Sequence, residues 1–146
     1  MITDKLNTFS NAQLVTATAA STDVIDLGPL TRGNTRRDIG AGEPIYLVVA
    51  MLAAATAVGA ATTNIQLQTS DDDATWVTLF DSGALALADL AAGKRPVQIA
   101  VPRGVRRYLR LNFVIGTGPL TAGSFWAGLV KDVQDNTKYA SGFVIL

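Results

Sequence analysis

From Arg107 to Ile115 the chain alternates without a break: Leu109, Leu111, Phe113 and Ile115 fall on one parity, and Tyr108, Arg110 and Asn112 on the other. A β-strand, whose side chains alternate between two faces, puts the first set on a core and leaves the second for solvent or a partner. Shorter runs repeat the pattern. Ile65 and Leu67 alternate with Asn64, Gln66 and Gln68, and Val97, Ile99 and Val101 alternate with Gln98 and Ala100 between Pro96 and Pro102. Trp76–Phe80 and Ser124–Val130 read as further strands, and Gln13–Thr16 and Val24–Leu27 as two short ones, the latter closed by Gly28-Pro29. Ser70–Thr75, with three Asp in a row, makes residues 62–81 a hairpin with an acidic tip, and Gly116–Gly123 is another turn. Only Ala84–Ala92 has helix propensity, and Gly93 would cap it as a small helix or a packed loop. Short strands at regular spacing predict an all-β fold: an antiparallel β-sandwich or jelly roll of about eight strands with extended terminal arms.

The 146 residues make one domain, 1–146, with an N-terminal arm at 1–10, an Arg/Gly/Pro-rich loop at 28–44 and a C-terminal tail at 131–146. Ile45–Thr63 is uncharged and long enough to span a bilayer, but its bulky residues end at Leu52 and Ala, Thr and Gly follow. It reads as a buried strand followed by a small-residue connection, because strands buried on both faces are short continuous apolar runs. No basic leader precedes an apolar run, so the expectation is a chain that stays in the cytoplasm where it is made and has no membrane partner.

The chain has no histidine and no cysteine. The usual general base, the commonest transition-metal ligand, the thiolate nucleophile and the disulfide are all missing, so no enzymatic role and no cofactor are expected. Carboxylate chemistry would have to come from eleven Asp and Glu43. Asp71-Asp72-Asp73 offers oxygen ligands but lacks the spaced donors and distal Glu of a calcium loop, so a solvated hairpin tip is the expectation. Twelve basic residues balance twelve acidic ones, which argues against nucleic acid as a partner. Gly116–Gly123 lacks the Gly-Lys-Ser/Thr ending of a phosphate loop and precedes a strand, so no phosphate site is read there.

Binding features remain. Arg32, Arg36 and Arg37 share the long loop, while Arg103, Arg106 and Arg110 surround the later strands, with Tyr108 predicted between two guanidinium groups. Phe143, Val144, Ile145 and Leu146 end the chain as a β-prone apolar run, which either packs back on its own domain or adds a strand to a neighbour. Trp76 and Trp126 lie in predicted strands, where core positions are expected; exposed, they would suit a carbohydrate-binding β-sandwich of a phage tail or surface adhesin.

The order and spacing of several motifs resemble one family over residues 1–139. They are Phe9-Ser10 with Gln13, Val24-Ile25-Asp26-Leu27-Gly28, Arg37-Asp38-Ile39-Gly40 with Gly42-Glu43-Pro44, and Arg107-Tyr108-Leu109-Arg110-Leu111-Asn112. Gly116-Thr117-Gly118-Pro119, Thr121-Ala122-Gly123 and Ala127-Gly128 before Asp132 complete the set. In these the chain resembles the capsid cement (decoration) proteins of short-tailed bacteriophages, the Bordetella-phage type. The resemblance implies a jelly roll without enzymatic activity, on the outer face of a phage head. There it would be a homo-oligomer, a dimer, that bridges neighbouring major capsid proteins by electrostatic contacts and added strands in a virion assembled in the host cytoplasm. The partner contacts expected are Arg32, Arg36, Arg37, Arg103, Arg106, Tyr108, Arg110 and Phe143, Val144, Ile145 and Leu146. Pro29–Arg36 and Ala140–Leu146 depart from the family pattern as an insertion and an extension.

Overall fold

The structure, a computed structural model, describes residues 3–28, 39 and 42–134. Its strands are β1 (Thr8–Leu14), β2 (Ala19–Ala20), β3 (Ile25–Asp26), β4 (Tyr46–Thr56), β5 (Thr62–Ser70), β6 (Val77–Ala86), β7 (Val97–Ala100), β8 (Tyr108–Gly116) and β9 (Ala122–Val130). They form two antiparallel sheets, β1-β9-β4-β7 and β2-β8-β5-β6, with β3 also on β8. Ala19 and Ala20 pair with Phe113 and Asn112, and Ile25 and Asp26 with Leu109 and Tyr108, so β2 and β3 are two pieces of one edge strand. Each sheet then has four strands. The pairs β1–β9, β2/β3–β8, β4–β7 and β5–β6 are those of a long hairpin wound into a jelly roll, the architecture expected. Among the described residues no helix is long and apolar enough to cross a membrane.

The core lies between the sheets. Leu47, Val49 and Met51 of β4 and Phe125, Ala127 and Leu129 of β9 face Ile65 and Leu67 of β5 and Leu109, Leu111 and Phe113 of β8. The rings of Phe113 and Phe125 meet across the gap, 4.8 Å between centroids and tilted by 44°. Alternation in β8 therefore reads as predicted, with the odd positions inward and Tyr108, Arg110 and Asn112 outward.

Four local expectations are corrected. The first strand spans Thr8–Leu14, not Gln13–Thr16, and Thr8–Ser10 are not part of an arm, because Phe9 is buried in the core. Ahead of it, Asp4 caps a single 3₁₀ turn at Lys5–Asn7 by accepting the Leu6 N–H. β4 continues through Ala53 to Thr56, where a loop was expected; small residues are needed there because β9 approaches closely at Gly123. Ala84–Ala86 belong to β6, paired with Thr62–Asn64, and only Leu87–Leu90 coil, as one 3₁₀ turn that buries Leu90. The strand ladder overrides alanine's helix propensity.

One core position is imperfect. Thr63 on β5 is fully buried, and its hydroxyl has no hydrogen-bond partner. Valine matches its shape without the desolvated hydroxyl, so Thr63→Val should stabilise the domain by about 1 kcal/mol, seen as a higher urea midpoint at constant slope.

Candidate functional site: the charged end of the sandwich

Strand register brings the acidic tip and the Arg103–Arg107 connection, both singled out in the sequence, to one end of the fold. Tyr46 lies opposite both Ala100 and Val130, Thr8 opposite Gly128, and Tyr108 opposite both Ser70 and Asp26. The end of β3, the start of β4, the β5–β6 and β7–β8 connections, the start of β1 and the end of β9 therefore lie together. Backbone bonds join them: Leu27 N–H donates to Arg107 O, and Val101 N–H to Ile45 O, both at 2.8 Å.

All four ion pairs among the described residues are at this end. Arg107 makes a bidentate pair with Asp26, both contacts 2.9 Å, and lies over the Tyr108 ring at 4.7 Å. Asp26 accordingly raises the Arg107 pKa above the ordinary guanidinium value. Arg106 Nη1 bonds Asp71 at 2.9 Å, Lys131 meets Glu43 at 3.0 Å, and Lys5 meets Asp23 at 2.6 Å. Every one of these side chains is more than a third exposed. Such pairs add little to stability; their effect is to orient loops.

Arg103 is exposed and makes no ion pair among the described residues. Arg106 precedes β8 and does not share the Tyr108–Arg110 row. The predicted Arg–Tyr–Arg stack is thus corrected: Arg107 covers Tyr108, and Arg110 covers Trp76, 4.1 Å from its ring centroid. Arg110 Nε also donates to Gln68 Oε1 at 2.9 Å, and partial burial lowers its pKa. Sequence reasoning missed Trp76 as its partner because the contact joins β8 to the turn before β6, which are neighbours only through β5. Arg32, Arg36 and Arg37, and Phe143 to Leu146, lie outside the described residues.

The acidic tip is a built turn. Asp72 accepts from Thr75 N–H (2.7 Å), Ala74 N–H (3.0 Å) and the Ser70 and Thr75 hydroxyls. These bonds, the Thr75 amide foremost, hold its carboxyl well below the ordinary carboxylate range. A depressed folded pKa means that the cap acts in full above about pH 4, the unfolded Asp value, and is lost as pH falls through the folded one. The Ala74 and Thr75 amide resonances should therefore titrate at lower pH than a free Asp, a response that Asp72→Asn removes. Asp71 faces Arg106 instead, and no group of three metal-ligating side chains occurs among the described residues.

Neither Trp is a core residue. Both are half-buried on outward faces, Trp76 against the β2-β8-β5-β6 sheet and Trp126 on β9 of the other. On opposite sheets they cannot form one flat sugar platform.

Comparison with known families gives one finding: the model of the Bbp16 family matches residues 9–129. The matched span includes all nine strands but for the first residue of β1 and the last of β9. No curated protein matches the chain.

Proposed function

The chain belongs to the Bbp16 family, and from that premise we propose that it is a cement protein of a phage head. The family's name points to a protein of a Bordetella phage, which is compatible with a structural role in the virion. In this reading the domain binds the outer capsid surface as a homo-oligomer and bridges neighbouring major capsid proteins, with no catalytic step. The observation that carries it is the convergence of the Arg103–Arg107 connection, the acidic tip, the end of β3 and the start of β4 at one end of the jelly roll.

Exposed charges there set register and speed of attachment. A shell pressed outward by packaged DNA gains from many modest links that each span two subunits, because linked contacts multiply in effect without any single strong site. Tyr108 and Arg110 extend the same surface along β8 as stacked, pre-oriented groups suited to a protein interface.

Arg36→Glu combined with Arg37→Glu should slow attachment to undecorated heads at least tenfold at low salt, followed by co-sedimentation over time. Added salt should then speed the variant by screening repulsion, where it slows the parent. An electron cryomicrograph of the native particle tests the reading as a whole: the domain should stand on the outer shell, and its absence from purified virions ends the proposal.

A further inference from the structure

Strand β1 is irregular where it runs beside Trp126. Thr8 lies opposite Gly128, Ser10 opposite Ala127 and Gln13 opposite Phe125, so β1 carries one extra residue on each side of Ser10. The second bulge falls at Asn11 and Ala12, both exposed, against Trp126. There Ala12 has φ of +56°, a left-handed conformation that is costly for any residue but glycine. Bulges of this kind re-aim side chains and are frequent beside functional sites.

The facing strand is shaped to match. A Cβ at Gly128 would come within 3.0 Å of the Trp126 ring and 3.1 Å of the Asn7 carbonyl oxygen. Glycine lets the indole lie down along the sheet, where a larger residue would lift it. Trp126, Thr3, Lys5, Thr8 and Asn11 together line a cavity of about 240 Å³. Sites for drug-sized ligands run to roughly 300–1,000 Å³, so this one has room for a single ring.

The wall chemistry narrows the ligand. An aromatic ring forms one side, and hydroxyls and an amide form the rest. Neither the Trp126 N–H nor the Asn11 amide has a hydrogen-bond partner among the described residues. Lys5 is the one charged lining residue, and Asp23 holds its ammonium at 2.6 Å.

We propose that this cavity binds a neutral hexopyranose, one sugar ring of a polysaccharide. The C–H face of a pyranose is apolar and stacks on an indole, while its hydroxyls both donate and accept, as a rim of Thr and Asn side chains requires. A neutral sugar suits a site whose single cation is already paired; a nucleotide phosphate would need that cation free. One ring needs one Trp, so the placement of Trp76 and Trp126 on opposite sheets is no obstacle. The site is independent of the capsid reading.

The test uses the whole isotope-labelled protein, titrated by NMR with the methyl glycosides of glucose, galactose and mannose. At least one should shift the Trp126 indole N–H and the Asn11 side-chain amide saturably, with a Kd of about 1–10 mM, and leave the Trp76 indole in place. Asn11→Ala, at an exposed position, should weaken that binding about fivefold, the worth of one hydrogen bond. No saturable shift with any of the three sugars overturns the proposal, as does a shift at Trp76 in place of Trp126. Full affinity in Asn11→Ala, or a response to thymidine monophosphate alone, overturns it equally. No capsid enters the experiment, so its failure leaves the cement reading standing.

Discussion

Replacing Phe113 by Ala should cost about 3–5 kcal/mol, a large share of the roughly 5–15 kcal/mol that holds a domain of this size together. The ring is fully buried, and its main aromatic contact is Phe125 on the opposite sheet. Its loss therefore opens a cavity between the two layers, where neither backbone ladder can close it. The thermal midpoint should fall by roughly 10 °C and the urea midpoint in proportion, with the slope unchanged. Phe113→Leu, which keeps most of the volume, should recover more than half of the loss. If Phe113→Ala melts within about 1 kcal/mol of the parent, the inter-sheet packing described above is wrong.

Gly123→Ala should destabilise by about 2–3 kcal/mol for a different reason. Gly123, the second residue of β9, has φ of +147°, a conformation that L-residues rarely adopt, and an added Cβ would lie 3.3 Å from both Cα and Cβ of the buried Ala55. The atoms met are the Ala55 backbone and its Cβ, not the far end of a flexible side chain, so the contact cannot relax cheaply. Gly118→Ala is the control: φ is +105° in the turn just before β9, but a Cβ meets nothing within 4 Å. Only backbone strain, about 1 kcal/mol, should appear in that variant. The difference between the two isolates the close approach of β4 and β9, and equal losses would deny it.

Strand β8 was legible because one of its faces is core and the other polar, so its period-2 pattern is undiluted. β4 was legible only in part. Its bulky half announces a strand, but Ala53–Thr56 carry no pattern, since what they record is the nearness of Gly123 on a strand almost seventy residues away. Ala84–Ala86 misled for the same reason: alanine favours a helix in isolation, and the ladder with Thr62–Asn64 decides otherwise. Among the expected contact residues, Arg106 and Arg110 are each engaged within the fold. Their partners, Asp71 and Trp76, lie 35 and 34 positions away along the chain, and alternation within one strand carries no information on that.

Composition and periodicity alone determined that this chain is all-β, that it lacks histidine and thiol chemistry, and that charge collects in a few segments. These are local properties, written in each residue's neighbours along the chain. That the acidic tip and the Arg103–Arg107 connection meet at one end of the fold, and that Arg107 and not Arg106 stacks on Tyr108, were decided by the tertiary structure. Strand order and register set them, and both depend on pairings between distant residues, which no short window of sequence contains.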